Sequence, residues 1–265
     1  MTTPFRSTIA AAMAVLAVAG GAQAEPGDRI PDDQVVRNVV LVHGAFADGS
    51  GWRGVYDDLT ARGYRVAVVQ NPLTSFEDDV KATRRVLARQ EGPTILVGHS
   101  YGGAVITEAG VDPRVAGLVY VSALAPDVGE STGDQFAEIP PPPEFVIEPG
   151  RDGFGFVNTK LFKAGFAGDT SDADAAFLRD SQVPINMAVF DARLTQAAWR
   201  RKPSWAIVAT QDRAIAPRLL TQQAERIGAR VTEVAASHVP FLTQPQAVAD
   251  VIDQAARTVS RAVAR

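Results

Sequence analysis

A serine, an aspartate and a histidine stand at the ends of separate apolar runs in this 265-residue sequence. Ser100 lies in the stretch GHSYGG, after the apolar run TILV and before AVITEA. A serine hydroxyl is a poor nucleophile until a neighbouring base takes its proton, so Ser100 needs a histidine partner. Gly98 and Gly102 let a strand turn sharply into a helix and leave the serine exposed at the strand's end. The spacing predicts a nucleophile at Ser100.

The sequence has three histidines, so the base is chosen by elimination. His99 adjoins Ser100, and its side chain is expected to point away from the nucleophile. His43 ends the first apolar run, in LVHGAF, where we expect it to shape a loop. His238 follows the last strand-like run, in VTEVAASHVPF. That position is at the carboxyl edge of a parallel sheet, where catalytic groups gather, and it predicts His238 as the base.

A catalytic histidine needs an acid that holds its tautomer and stabilises the imidazolium. Asp212 ends another apolar run, in WAIVATQDRAIAP, and would reach the same sheet edge. Asp127, in LVYVSALAPD, is the competing acid, and a helix cap ahead of Pro217 is the alternative role for Asp212. We favour Asp212, which gives the chain order Ser100, Asp212, His238.

Attack on a carbonyl also needs hydrogen-bond donors for the oxyanion. The backbone N–H of Tyr101, the residue after the nucleophile, is one predicted donor. The second is expected from the loop HGAFADGSGW, through the N–H of Ala45, with Phe46 next to it. Gly44 would let this loop pass close to the turn at Ser100, although a simple tight turn would also explain a His-Gly-Ala stretch.

The elements that position these residues alternate between strand-like and helical patterns. Strands are predicted at 38–43, 65–70, 94–98, 117–122, 204–210 and 230–235. Amphipathic helices are predicted at 52–62, 76–90, 101–111, 217–227 and 246–259. Strands that are apolar nearly throughout, each followed by a helix, indicate an α/β fold with a doubly wound, mostly parallel sheet of about six strands.

The alternation stops between two prolines, Pro126 and Pro203. More than about 70 residues between two sheet strands is too long for an ordinary connection. We therefore predict a core of residues 25–126 and 203–265 with residues 127–202 inserted as a cap of helices and loops over the strand ends. Eight of the twelve phenylalanines lie in the insertion, and they would form either an apolar substrate pocket or the core of the cap: Phe136, Phe145, Phe154, Phe156, Phe162, Phe166, Phe177 and Phe190.

The first 24 residues are typical of a bacterial signal peptide. Arg6 precedes a short apolar run that ends in Ala22-Gln23-Ala24, an A-x-A cleavage pattern. We expect cleavage after Ala24, a periplasmic or secreted mature protein, and no stable membrane insertion after removal of this segment, because the run is too short to span a bilayer.

Composition excludes several classes of function. The absence of cysteine excludes disulfides, thiol catalysis and cysteine-ligated metals. The net charge is −4, and the one basic cluster, Arg200-Arg201-Lys202, is too small to indicate a nucleic-acid partner. The predicted chemistry needs neither an organic cofactor nor a metal, and the expected partner is a small-molecule ester.

Four stretches together, VVLVHGAFADGSGW, ILVGHSYGGAV, ATQDRAIAP and SHVPF, resemble the α/β-hydrolase superfamily. They are most similar to small bacterial hydrolases and to the branch that contains plant methylesterases and hydroxynitrile lyases. The resemblance covers essentially all of the chain after residue 24 and is weakest across the insertion. It implies that Ser100, His238 and Asp212 are nucleophile, base and acid, and that Ala45 and Tyr101 supply the oxyanion hole.

Residues that differ from those of related enzymes reduce the number of reactions to be expected. Related haloalkane dehalogenases and epoxide hydrolases use an aspartate where this chain has Ser100. Hydroxynitrile lyases carry a lysine after the catalytic histidine, where this chain has Val239, so cyanohydrin cleavage is disfavoured.

The residues therefore predict a serine hydrolase that cleaves small or medium carboxylic esters through an acyl-enzyme. Two alternatives remain at this point. The same three residues could carry acyl transfer, perhydrolysis, or amide or C–C bond hydrolysis. The second alternative is a slow-turnover ligand-binding protein on the same scaffold.

Overall fold

The structure is a computed structural model that describes residue 1 and residues 35–263. The predicted signal peptide therefore lies, apart from Met1, outside the described residues. No helix in the described part of the chain is long and apolar enough to cross a bilayer.

The first half of the chain alternates strictly between strands and helices. Its elements, in order, are β1 (Asn38–Val42), α1 (Arg53–Ala61), β2 (Arg65–Val69), α2 (Phe76–Leu87), β3 (Thr94–His99), α3 (Gly102–Ala109) and β4 (Val115–Val121). All four strands and all three helices match the sequence prediction to within a few residues at their ends. The Ser75 hydroxyl starts α2 by accepting a hydrogen bond from the Asp78 amide at 3.1 Å, as expected for a serine N-cap.

The segment that follows β4 contains a second, smaller sheet as well as helices. Its elements are β5 (Ile147–Pro149), β6 (Phe154–Val157), α4 (Phe162–Phe166), α5 (Asp172–Asp180) and β7 (Ile185–Asn186). β5, β6 and β7 form a three-stranded antiparallel sheet. The prediction of helices and loops alone is wrong here. These strands are too short to show an alternating pattern, and Pro149 and Gly155 lie within them.

The chain then returns to the main sheet. The remaining elements are β8 (Ser204–Ala209), α6 (Pro217–Arg226), β9 (Arg230–Val234), α7 (Pro240–Thr243) and α8 (Pro245–Val263). Both strands and the helices α6 and α8 were predicted, whereas the single turn of α7 was not. A proline at the first position of α6 suits its start, because that residue has no amide hydrogen to leave unpaired.

Six parallel strands form the main sheet in the order β2-β1-β3-β4-β8-β9. Every residue of β1, β3 and β8 is buried, whereas the edge strands β2 and β9 are partly exposed. Helix α1 packs on α8 and α2 packs on α3, so helices cover the central strands. The chain reverses direction across the sheet between β1 and β3, and ligands of open α/β sheets bind at the carboxyl edge of such a switch point.

A buried carboxylate ties the end of the insertion to α3. Glu108 Oε2 accepts hydrogen bonds from the amides of Thr195 and Gln196 at 2.8 and 2.9 Å. Its Oε1 accepts one from the Thr195 hydroxyl at 2.6 Å. Arg84 lies 3.9 Å from the same oxygen. Because the chain between β4 and β8 has few long elements of its own, such contacts fix where it returns to the core.

Replacing Glu108 with alanine should destabilise the fold by about 2–4 kcal/mol, because two backbone amides and the Thr195 hydroxyl lose a charged acceptor. Urea denaturation of Glu108→Ala beside wild type measures the loss. Glu108→Gln keeps one acceptor oxygen, so its free energy of unfolding should fall clearly less than that of Glu108→Ala. Equal stability of wild type and Glu108→Ala would show that this connection is not needed.

Candidate active site

Ser100 lies at the turn between β3 and α3 with a left-handed backbone, at a φ of 54°. A residue with a side chain holds such a conformation at a cost of about 1–3 kcal/mol, and only where its surroundings fix it. Here the Ser100 amide donates to the Val121 carbonyl at 3.2 Å, and the Ser100 carbonyl accepts from the amides of Gly103 and Leu124 at 2.9 and 3.3 Å. The end of β4 thus holds the turn.

Glycine is required where the backbone crosses close to this turn. A Cβ on Gly98 would lie 2.6 Å from the Gly102 carbonyl oxygen, and one on Gly102 would lie 2.8 Å from the His43 carbonyl oxygen. A Cβ on Gly44 would lie 2.8 Å from Ser100 Cβ. The structure confirms the predicted steric reason for the glycines and the close approach of the loop that follows β1.

The three residues predicted for catalysis form one chain of hydrogen bonds. His238 Nε2 lies 2.9 Å from Ser100 Oγ, and His238 Nδ1 lies 2.7 Å from Asp212 Oδ2. Both the histidine and the aspartate are buried. Since a carboxylate only accepts hydrogen bonds, Nδ1 carries the proton and Nε2 is the atom that accepts from the serine hydroxyl. This is the arrangement in which a serine transfers its proton to histidine.

Asp212 is fixed from its other side by the backbone. Its Oδ1 accepts from the amides of Ala214 and Ile215 at 2.8 and 2.9 Å, in the loop between β8 and α6. The competing acid, Asp127, instead pairs with Arg200 at 2.7 Å. The structure therefore brings Asp212, and not Asp127, to the histidine.

The other two histidines have structural partners. His99 Nε2 donates to the His238 carbonyl oxygen at 2.9 Å, so its side chain is directed away from the serine hydroxyl as expected. Complete burial, with His238 nearby, lowers the pKa of His99 well below its usual value. His43 bonds to the Gly44 carbonyl and accepts from the Asn71 amide, each at 2.9 Å. This confirms its role in shaping a loop.

Ala45 and Tyr101 line the same pocket as Ser100. Within the part of the chain that the structure describes, neither amide donates a hydrogen bond to another protein group. Two unpaired N–H groups beside a serine suit an oxyanion that forms on the substrate. Their role as the oxyanion hole stays a prediction.

Sequence analysis missed an aspartate of the insertion that contacts the histidine loop. Asp169 accepts hydrogen bonds from the hydroxyl of Ser237, next to His238, and from the hydroxyl of Thr243 at 2.7 Å. The two hydroxyls lie on either side of His238 in the chain. No local pattern marks Asp169, because its partners are about 70 residues away in sequence.

Ser100 and His238 open into an apolar pocket of about 660 Å³, part of which is open to solvent. Four phenylalanines of the insertion line it together with Phe46 from the core side: Phe136, Phe145, Phe166 and Phe190. In contrast, Phe156 and Phe177 are 42% and 69% exposed, and Phe162 is buried. The predicted apolar pocket is therefore formed by half of the insertion's phenylalanines. No Asp, Glu, Lys or Arg among the described residues lines it.

Gly44→Ala should separate the loop after β1 from Ser100, because its new Cβ would overlap the serine's own Cβ. We expect the labelling of Ser100 by a fluorophosphonate to slow by about 100-fold or more, the usual cost of misplacing reacting groups by about 1 Å. Mass spectrometry of the labelled peptide measures the rate.

The matched control is Gly168→Ala. Its Cβ would have ordinary contacts, the nearest at 3.7 Å, so labelling should match wild type. Wild-type labelling of Gly44→Ala would contradict the steric argument.

Comparison with known proteins identifies the family of the chain. A family model described as "Alpha/beta hydrolase family" matches residues 39–251. A pyrethroid hydrolase from Sphingobium wenxiniae is 28% identical over 248 residues, which cover 82% of this chain and 86% of that protein. A carbendazim hydrolyzing esterase from a Nocardioides species is 39% identical over 108 residues, or 36% of this chain and 45% of that protein.

A solved structure has the same fold. The crystal structure of a pyrethroid hydrolase from Sphingobium faniae superimposes with a TM-score of 0.72 at 24% identity, over 84% of this chain and 98% of that one. Together with the match to the family model across β1 to α8, this shows that the chain belongs to the alpha/beta hydrolase family.

Proposed function

We propose that this protein is a serine hydrolase that cleaves small or medium, uncharged carboxylic esters through an acyl-enzyme. The observation that carries the proposal is the hydrogen-bonded chain Ser100–His238–Asp212 with its serine facing an apolar pocket. An activated serine beside a base, with the base oriented by an acid, is the geometry of nucleophilic acyl transfer.

In the first half of the reaction, Ser100 Oγ attacks the ester carbonyl carbon while its proton passes to His238 Nε2. The carbonyl π electrons move to oxygen, and that oxyanion accepts from the amides of Ala45 and Tyr101. Asp212 stabilises the imidazolium through Nδ1. The tetrahedral intermediate then collapses, the C–O bond to the alcohol breaks, and His238 returns its proton to the departing alcohol oxygen.

The second half repeats these steps with water as the nucleophile. His238 Nε2 takes a proton from water, whose oxygen attacks the acyl-enzyme carbonyl. The second tetrahedral intermediate releases the carboxylic acid, and Ser100 recovers its proton from His238. The chain's own residues carry each proton transfer.

The pocket supports an uncharged, apolar ester. Binding an ion there would remove its water without supplying an opposite charge, which is costly. Aromatic walls favour aryl or alkyl groups that leave water. The relatives named as a pyrethroid hydrolase and a carbendazim hydrolyzing esterase support hydrolysis of organic esters of this kind.

Export to the periplasm or beyond is part of the proposal. The basic start, apolar run and A-x-A end of the first 24 residues support it. In a bacterial expression host, the protein recovered from the periplasm should begin at Glu25 when its N-terminus is sequenced. Ala24→Leu should block this cleavage. A mature protein that retains Met1 would contradict the proposal.

The test of the esterase function is hydrolysis of p-nitrophenyl esters from acetate to palmitate by wild type and Ser100→Ala. Loss of the nucleophile should lower kcat by up to about 10⁶-fold, to the background rate. The acyl-chain length at which the wild-type rate is greatest measures the size of the acyl group that the pocket accepts.

Equal activity of the two proteins would show that Ser100 is not the nucleophile. Thermal stabilisation of wild type by an ester without turnover would instead favour the slow-turnover binding protein. Arg201→Ala, on the exposed surface, is the control for a general effect of substitution and should keep the wild-type rate.

A further inference from the structure

A buried carboxylate next to the proposed oxyanion hole has no role in the steps above. Asp79, in the first turn of α2, is fully buried. Its Oδ2 accepts from the Tyr101 hydroxyl at 2.7 Å, and its Oδ1 accepts from the Leu73 amide at 2.8 Å. In the part of the chain that the structure describes, no cation pairs with Asp79. Its charge is therefore balanced by hydrogen bonds alone.

The residue that Asp79 holds is the one whose amide is the predicted oxyanion donor. Tyr101 follows Ser100 directly and caps α3, so its backbone belongs to the turn. Its ring is 2% exposed and packs edge-on against Phe76 and Phe190, with centroids 6.4 and 6.1 Å away. A ring fixed at its far end by α2 and along its sides by two phenylalanines leaves its own backbone little freedom to rotate.

Asp79 fixes a second strained backbone with its other oxygen. Leu73 has a φ of 57°, the left-handed region that side chains seldom adopt, in the loop between β2 and α2. The hydrogen bond from the Leu73 amide ties this loop to the same carboxylate. One side chain therefore joins α2, its preceding loop and the turn at Ser100. A carboxylate suits this position because it offers an acceptor to each donor, whereas an amide offers only one oxygen.

We propose that Asp79 is a positioning residue for ester hydrolysis, which holds the Tyr101 amide in the place where the oxyanion forms. This inference rests on the proposed function and adds a residue to it. Asp79 does not touch the substrate; it acts through the Tyr101 hydroxyl. Because the oxyanion exists only in the transition state and the intermediates, the loss of this support should appear in kcat and not in KM.

The test compares wild type, Asp79→Asn, Tyr101→Phe and the double variant on p-nitrophenyl butyrate. Active sites are first counted by stoichiometric labelling with a fluorophosphonate, so that each kcat refers to folded protein. Each single variant should lose about 10-fold in kcat with little change in KM, less than the roughly 100-fold that removal of an oxyanion donor costs. The double variant should lose no more than the single variants, because both remove one interaction.

Asp78→Asn is the matched control, since it makes the same charge change one position earlier on α2 without contact to Tyr101. Its kcat should equal that of wild type. Wild-type kcat in Asp79→Asn and Tyr101→Phe, or additive losses in the double variant, would overturn the inference while the esterase function stands. If Asp79→Asn does not fold, Tyr101→Phe alone decides. A wild type that is neither labelled nor active overturns the proposed function and this inference together.

Asp79 should also make the stability of the protein depend on pH. Burial, with a smaller contribution from Asp78 on the same helix, raises the pKa of Asp79 to about 6, against the hydrogen bonds from Tyr101 and Leu73. No charged side chain from α3, β1 or β2, which pack on α2, acts on it among the described residues. An unfolded aspartate has a pKa near 3.9, so the folded state holds the proton more tightly.

Between about pH 4 and pH 6, wild type should therefore lose stability relative to Asp79→Asn as the pH rises. Chemical denaturation across this range measures the difference, and the contributions of His43 and His99 cancel in it. Asp78→Asn should lose stability with rising pH in the same direction as wild type, over a slightly lower pH range, because it removes the charge that raises the pKa of Asp79. A difference between wild type and Asp79→Asn that does not change with pH would show that Asp79 is not a buried, titrating carboxyl.

Discussion

The left-handed backbone of Ser100 is the constraint on which the site depends. It places the serine side chain above the end of β3 and turns the following residues into α3, but it is stable only while neighbouring chain segments hold it. Backbone bonds from the end of β4 supply part of this support. Glycines at 98, 102 and 44 let β1, β3 and α3 approach closely enough to supply the rest. The sheet order, with β3 between β1 and β4, is what brings these segments together.

Separate strands deliver the partners of Ser100 to the same edge. Asp212 follows β8 and His238 follows β9, so the acid and the base come from neighbouring parallel strands. The backbone amides of the β8–α6 loop fix the aspartate, and the aspartate fixes the histidine. Asp169 adds a contact from the insertion to the hydroxyl beside His238. The residues of the proposed mechanism are thus held by neighbours that take no part in its bond making.

The core of this fold was predictable from sequence because its central strands are continuous apolar runs and the helices α2, α6 and α8 are strongly amphipathic. Ser100, Asp212 and His238 were recognisable because each follows such a run. The strands of the insertion were not predicted. Strands of two to four residues, two of which include a proline or a glycine, are too short to show an alternating pattern of apolar and polar residues. The contacts of Asp79 and Asp169 were not predicted for another reason. Most of their hydrogen-bond partners are distant in sequence and come close only in the folded chain. The apolar pocket was one of two interpretations of the phenylalanines. The structure shows that half of them line the pocket, whereas Phe162 is buried elsewhere and Phe156 and Phe177 are exposed.

The lining of the pocket has a consequence for selectivity. With no charged side chain around the serine among the described residues, a substrate is held by the water that it displaces and by the shape of the aromatic walls. Binding of this kind changes little with ionic strength and distinguishes substrates that differ by one methylene by only about 1–3 kcal/mol. The range of neutral compounds that the pocket accepts should therefore follow their partition between water and oil more closely than the detail of their functional groups. In a natural mixture of compounds, a pocket of this kind selects by hydrophobicity and shape.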